Sequence, residues 1–260
     1  MLGKPPFPAI DRIPAPTSWR CIEFISDLHL HEGASRTTQA LADYLSSTTA
    51  DAVLILGDLF EAWVGDDMRS QAYESHCVRI LAQAGQRLHL GVMVGNRDFL
   101  LGDAMLQDCH AHKLIDPTVL EAWGQSALLI HGDALCLADT DYLGFRNQVR
   151  QASWQQAFLA SPLEARLAQA RQMRAASQAH QQNQTDMTWA DVDEIAAGNW
   201  MQSAKAEHLI HGHTHRPQDQ IFGPEGAMRH VLSDWDLDHA APRAEVLRWT
   251  VDGFSRIKLS

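Results

Sequence analysis

Long hydrophobic runs are missing from this chain. Across its 260 residues the apolar stretches are of the size of Ala52 to Leu56, far short of the roughly 20 residues a helix needs to cross a bilayer. No transmembrane helix is expected. Cysteine is sparse: the four, Cys21, Cys77, Cys109 and Cys136, stand far apart without paired spacing, which excludes a zinc knuckle or disulfide framework and leaves buried thiols. Cations are in deficit, with 21 Lys and Arg against 32 Asp and Glu and a formal charge of -11. A general polyanion-binding surface is thereby excluded, no nucleic-acid partner is expected, and any anionic ligand must be handled locally. The segment Met1 to Pro8 has one cation and then prolines, without the apolar stretch of a secretory signal, so the expectation is a cytoplasmic protein. No internal repeat is present, and nothing in the sequence specifies an oligomeric state.

What the chain has in quantity is histidine, 14 residues, a frequent metal ligand and proton carrier. Where these sit depends on the elements around them. Residues 1–18, with Pro5, Pro6, Pro8, Pro14 and Pro16, exclude a helix or central strand and read as an extended arm ahead of a domain spanning 19–260. Short apolar runs at Cys21–Ile25, Ala52–Leu56, Leu88–Val94, Ala127–Ile130 and Glu207–Ile210 read as buried strands. Helical spacing at Thr37–Ser46 and Gln71–Ala84 makes the first half alternate strand and helix, an α/β pattern. From about 141 to 205 the chain turns rich in Ala, Gln, Arg and Glu, which predicts a helical insert of at least two helices broken at Ser161-Pro162. The tail from Ala244 to Leu259 reads as a closing hairpin.

Five polar clusters follow five of the apolar runs: Asp27-Leu28-His29, Gly57-Asp58, Gly95-Asn96-Arg97-Asp98, His131-Gly132-Asp133 and Gly212-His213-Thr214-His215. In an α/β sheet, sites form beyond the C-terminal strand ends, so these clusters are expected on one rim. Asp27 and His29 are two apart, as are His213 and His215, which on extended chain turns each pair to one face. Each cluster alone reads equally as a turn. Together, their mixture of carboxylate, imidazole and amide oxygen suits a borderline-hard divalent ion such as Mn²⁺.

The order Asp-x-His, Gly-Asp, Gly-Asn, His, Gly-His-x-His, spanning roughly residues 21 to 235, resembles the calcineurin-like metallophosphoesterase superfamily. More narrowly, Ile25 to Leu30, Gly57 to Glu61, Gly95 to Phe99, His131 to Asp133 and Ile210 to Pro217 resemble the UDP-2,3-diacylglucosamine pyrophosphohydrolase family of lipid A synthesis. The resemblance implies a two-sheet α/β sandwich with a helical lid and two Mn²⁺ per chain. It implies Asp27, His29 and His215 as ligands of one ion and Asn96, His131 and His213 as ligands of the other, with Asp58 bridging. His211 is left as a supporting histidine. Asn96, Arg97, Asp139, Ser177 and His213 are implied as substrate contacts, Asn96 and Arg97 among them as catalytic. The insert match decays at Gln181, Gln182, Asn183 and Gln184, where the family carries further contacts.

The implied activity is hydrolysis of the diphosphate of UDP-2,3-diacylglucosamine to UMP and 2,3-diacylglucosamine 1-phosphate, peripherally at the cytoplasmic face of the inner membrane. Most superfamily members carry His where this chain has Arg97. A guanidinium keeps its protons and cannot serve as general acid, which favours a leaving group that departs as an anion. In the insert, Arg146, Arg150, Arg166, Arg171 and Arg174 outnumber Asp141 and Glu164 between residues 141 and 180. With interleaved Trp154, Phe158, Leu159, Leu163, Leu167 and Met173 they read either as a basic, apolar surface for a lipid or as helices packed on the core. A hydrolase of soluble nucleotides or phosphodiesters and a protein-binding scaffold remain the alternatives.

Overall fold

The structure, a computed structural model, describes residues 8–182, 191–222 and 226–259, with side chains of 175–182 excepted. Among the described residues, twelve strands form two six-stranded sheets. The first sheet is built from β1 (Asp11–Pro14), β6 (Thr118–Ala122), β7 (Gln125–Ile130), β8 (His208–His211), β10 (Ala227–Val231) and β9 (Gln218–Phe222), in that spatial order. The second has the order β12 (Gly253–Lys258), β11 (Glu245–Thr250), β2 (Cys21–Ile25), β3 (Ala52–Leu56), β4 (His89–Met93) and β5 (Ala111–Leu114). Strands β2 to β5 pair in parallel, as do β7, β8 and β10.

The period of two along the strands decides the layers. Ile22, Phe24, Leu54, Leu56, Ala127, Leu129 and Ile210 point between the sheets into a shared core that includes Trp249. The alternate residues Ile25, Val53 and Ile55 face α1 (Ser35–Ser47), α2 (Ala72–Gly85) and α3 (Asp103–Asp108), where Leu41, Leu45, Cys77, Leu81 and Met105 cover them. On the other outer face, Leu128, Ile130 and Leu209 meet Ala197, Trp200, Met201 and Ala204 of α7 (Glu194–Ala204). The result is the two-sheet sandwich with helices outside both sheets that was expected.

The insert contributes α4 (Thr140–Val149), α5 (Ala152–Leu159), α6 (Leu163–Gln182) and α7. Its break falls at Ser161-Pro162. The expected apolar face is spent on the core: Phe158 is buried in the helix-covered cluster, and Trp154, Leu163 and Leu167 pack against it. The helix α7 is part of the sandwich itself. Strands β1, β5, β6, β9 and β10 have no counterpart among the expected ones; β5, β9 and β10 carry polar residues such as His112, Lys113, Gln218 and Arg229 that break an apolar run. Within the proline-rich arm, Asp11–Pro14 is an edge strand paired in parallel with β6, a place where proline is tolerated because its missing N–H faces no partner.

Candidate metal centre

Five loops leave five strand ends and meet on one rim. β2 leads to Asp27 and His29, β3 to Asp58, β4 to Asn96 and Arg97, β7 to His131, and β8 to His213 and His215. Backbone bonds lace the loops together: the N–H of Asp27 donates to Gly57 O at 3.1 Å, that of His29 to Asp58 O at 3.0 Å, and that of Gly212 to His131 O at 3.0 Å. Asp27, His29, Asp58, His213 and His215 all adopt left-handed backbone, with φ between 49° and 66°. Asp and His tolerate that region better than branched residues, and such conformations persist where the surroundings over-determine them.

The side chains gather in two sets. Asp27, His29 and His215 form one, and Asp58, His131 and His213 the other, with one donor atom of each residue within 4.8 Å of the others in its set. Asn96 joins the second set, its Oδ1 standing 2.9 Å from both His131 Nε2 and His213 Nδ1. All seven expected ligands therefore converge. Close approach of the loops requires glycine at two points, since a Cβ on Gly95 would strike Asp58 Oδ1 and one on Gly212 would strike Asp27 Oδ2.

Several observations fit a divalent ion in each set. Asp27 Oδ2 accepts from Ser26 Oγ at 2.6 Å and from the His213 N–H at 2.9 Å, while the buried Oδ1 has no hydrogen-bond partner. That orphaned oxygen lies 3.4 Å from His215 Nε2 and 4.0 Å from His29 Nε2. His131 Nδ1 is backed by an acceptor, donating to Leu56 O at 2.9 Å, and carboxylates stand behind two other imidazoles, Glu61 3.1 Å from His29 Nδ1, without a hydrogen bond, and Asp234 3.4 Å from His215 Nδ1. Backing of this kind fixes the tautomer and turns the remaining lone pair toward a metal.

The field in the pocket is negative. Burial opposes a charged His131, yet Asp58, Asp27 and Asp133 raise its pKa to about 9. His213 goes the other way, to about 4, through burial and the charge on His131. Burial also works against an ionised Asp27, but His215 and the other imidazoles hold its carboxyl below the usual range. A cation entering this pocket would replace the proton that His131 otherwise carries.

Around the sets lie residues that the motifs contained without a role. Asp98 is fully buried and accepts from the N–H groups of Gly95 at 2.7 Å and Leu59 at 2.8 Å, clamping the Asn96 and Asp58 loops to each other. Burial and the charge of Asp58 push its carboxyl up to about 6. With Asp98 occupied by backbone, the Arg97 Nε is buried and has no hydrogen-bond partner among the described residues, while the Arg97 N–H donates to Asp58 Oδ1 at 2.8 Å. Asp133 is held by Arg146 Nε at 2.8 Å and by the Tyr142 hydroxyl, both on α4. Glu61 and Asp133 lay within the motifs. Asp234 carried no signal beyond its charge.

Asp139 caps α4, its Oδ1 accepting from the Tyr142 N–H at 3.0 Å. Ser177, Gln181 and Gln182 lie on α6 with side chains outside the described residues, and Asn183 and Gln184 lie outside the described residues altogether. His211 belongs to neither set and is fully buried beside Arg229. Of the two readings of the insert, a basic surface or helices packed on the core, the arginines' partners favour the second. Arg146 binds Asp133, Arg150 donates to Gly95 O at 2.8 Å, Arg166 is buried and paired with Asp67 and Val64 O, and Arg174 pairs with Glu61. Four of the five thus reach inward, since an arginine over a packed helix gains more from a carboxylate or orphan carbonyl than from water.

Residues 22–217 match the calcineurin-like phosphoesterase family. A UDP-2,3-diacylglucosamine hydrolase of Ralstonia nicotianae is 43% identical over 238 residues, covering 86% of this chain and 87% of the relative. One from Cellvibrio japonicus is 40% identical, covering 88% and 98%, and one from Xanthomonas oryzae pv. oryzae is 42% identical, covering 89% and 96%. The chain belongs to the calcineurin-like phosphoesterase family, and within it to the UDP-2,3-diacylglucosamine hydrolases.

Proposed function

We propose that this chain hydrolyses the diphosphate of UDP-2,3-diacylglucosamine, giving UMP and 2,3-diacylglucosamine 1-phosphate, with two Mn²⁺ held by the convergent sets. The observation that carries the reading is the convergence of seven oxygen and nitrogen donors, with Asn96 joining His131 to His213. Asp27, His29 and His215 would hold one ion and Asn96, His131 and His213 the other, with Asp58, which gathers with His131 and His213, as the carboxylate that would be shared between them. Bound divalent ions at such a pair of sites lower the pKa of water toward neutrality and neutralise phosphoryl oxygens. Water adds to one phosphorus and gives up a proton to solvent, the bond from that phosphorus to the bridging oxygen breaks, and the leaving phosphate departs as an anion that needs no proton.

Arg97 suits that departure. Its uncommitted Nε is a donor available to charge that develops on the diphosphate. Asn96 and His213 reach the same phosphates, while Asp139, ahead of α4, and Ser177 on the insert contact the rest of the substrate. The lipid substrate brings the protein to the cytoplasmic face of the inner membrane as a peripheral enzyme. With most insert arginines engaged, acyl chains rather than a basic face supply that attachment.

The test is to incubate purified protein with UDP-2,3-diacylglucosamine, with and without Mn²⁺, and identify the uridine product. Mn²⁺-dependent release of UMP is expected. Release of UDP, or no reaction, overturns the reading in favour of a soluble nucleotide or phosphodiester substrate. One observation favours that second reading: the inward apolar face of α5 and α6 is filled by the protein's own core.

A further inference from the structure

Behind the Gly212 to His215 loop runs a buried polar chain that the centre itself does not use. His211 ends β8, with 0% exposure, and its Nδ1 lies 2.8 Å from Gly212 O. Its Nε2 lies 2.9 Å from Nε of Arg229, which is 1% exposed on β10. Both partners have fixed roles, because a guanidinium only donates and a carbonyl only accepts. The ring is therefore neutral, with the proton on Nδ1 donated to Gly212 O and Nε2 accepting from Arg229. Burial and the Arg229 charge depress its pKa to about 3, in keeping with that state. Arg229 also pairs with Asp191, which stands just ahead of α7 where the insert returns to the sandwich.

The loop that this chain holds contributes to both donor sets. His213 belongs with Asp58 and His131, and His215 with Asp27 and His29. Gly212 is the pivot before them, its carbonyl accepting from the Thr214 N–H at 2.8 Å as well as from His211. Any tilt of this peptide moves His213 and His215 together against ligands on four other loops. From this arrangement we infer that His211 and Arg229 are positioning residues that fix the spacing of the two metal sites, and that Asp191 ties the base of the insert to that spacing. The inference rests on the proposed two-metal reading and assigns work to residues outside the ligand set.

The test uses Mn²⁺ itself as probe, on the full chain, by calorimetric titration and by the spin-coupled electron paramagnetic resonance signal of paired Mn²⁺. His211→Leu keeps the volume and loses both hydrogen bonds, whereas His211→Asn keeps the donor for Gly212 O. Loss of backing to metal ligands typically weakens affinity about 10–100-fold, so the expectation is a loss of that size in His211→Leu and one of no more than about threefold in His211→Asn. The coupled signal should give way to that of isolated ions in His211→Leu and persist in His211→Asn. Should His211→Leu fail to fold by circular dichroism, Asp191→Ala serves, since it frees Arg229 while removing a part-exposed side chain; its Mn²⁺ affinity should fall several-fold. Wild-type affinity and coupling in the folded variants would overturn the inference. A wild type that pairs two Mn²⁺ yet releases no UMP would remove the proposed substrate and leave this inference standing.

Discussion

Asp58 shows how one side chain in this site carries several constraints. Its backbone is left-handed at φ 52°, its Oδ1 accepts from the Arg97 N–H at 2.8 Å, and its Oδ2 is 3.7 Å from His131 Nε2. Asn tolerates the left-handed region and keeps the acceptor, so Asp58→Asn removes charge with the least disturbance of the loop. We expect a turnover loss of roughly three orders of magnitude or more, equivalent to about 4 kcal/mol, with fewer than two Mn²⁺ retained. Near wild-type turnover at full metal content would contradict a bridging role. Arg97→Ala separates charge stabilisation from metal binding: turnover should fall by about 10²-fold or more with Mn²⁺ content unchanged. A variant as active as wild type would mean that the free Nε has no part in the reaction. Far from the rim, His89 stacks on His112 with ring centroids 4.3 Å apart, and burial plus the neighbouring imidazole lower its pKa from 6.5 to about 4. A histidine depressed in the folded state takes up more protons when unfolded, so its linked destabilisation is absent above about pH 6.5 and grows as pH falls toward 4. Urea unfolding in EDTA should show wild type losing stability relative to His89→Gln across that window, and parallel curves would show the shift to be absent.

At the scale of elements, legibility followed hydrophobic pattern. The run at Ala52–Leu56 is a strand at the same bounds, because both faces of a central parallel strand are buried and its sequence is apolar throughout; Cys21–Ile25 also keeps its bounds, with its one charge, the buried Glu23, bound by Tyr44, Thr48 and Arg248. β9 and β10 are not legible because Asp219, Arg229 and His230 satisfy one another and their neighbours with side-chain bonds that no periodicity reveals. The candidate centre was legible for the opposite reason: its ligands follow strand ends in short motifs, and their spacing survives in the sequence. Residues that support those ligands from another loop, such as Asp234 behind His215, act through contacts distant in sequence. The insert was legible as helical, but its direction of packing was not. Arg166 illustrates why, since an arginine on an amphipathic helix reads as solvated and here is 3% exposed, bonded to Val64 O, Ser161 O and Asp67. Arg166→Met keeps the apolar stem and leaves those acceptors unpaired, which should cost about 1–3 kcal/mol in urea unfolding. The same variant should make the insert more sensitive to limited proteolysis without changing Mn²⁺ content. Unchanged cleavage and stability would show that α6 is held by apolar packing alone.

Taken as one molecule, the protein sets an acidic body of net charge -11 against a substrate that is itself anionic and bears two acyl chains. The proposed centre answers the diphosphate locally, and long-range attraction does not help, because the surplus arginines of the insert are bound to Asp133, Gly95 O, Asp67 and Glu61. Affinity for the lipid must then come from apolar burial. The inner faces of α5 and α6 are occupied by Trp154, Phe158, Leu163 and Leu167, so acyl chains can use only surfaces the core leaves open, among which Leu159 and Phe145 are exposed at 42% and 38%. A chain buried there contributes about 0.8 kcal/mol per methylene, close to a fourfold change in affinity for each. A series of substrates with shortened acyl chains should therefore weaken binding in steep, regular steps while turnover at saturation stays nearly constant, since in the proposed reaction the ions and Arg97 would act on the diphosphate alone. Leu159→Asp should flatten the series if that side chain lines the path. An affinity independent of chain length would show that the insert serves only as a cover for the sandwich, and that the diphosphate and uridine carry recognition by themselves.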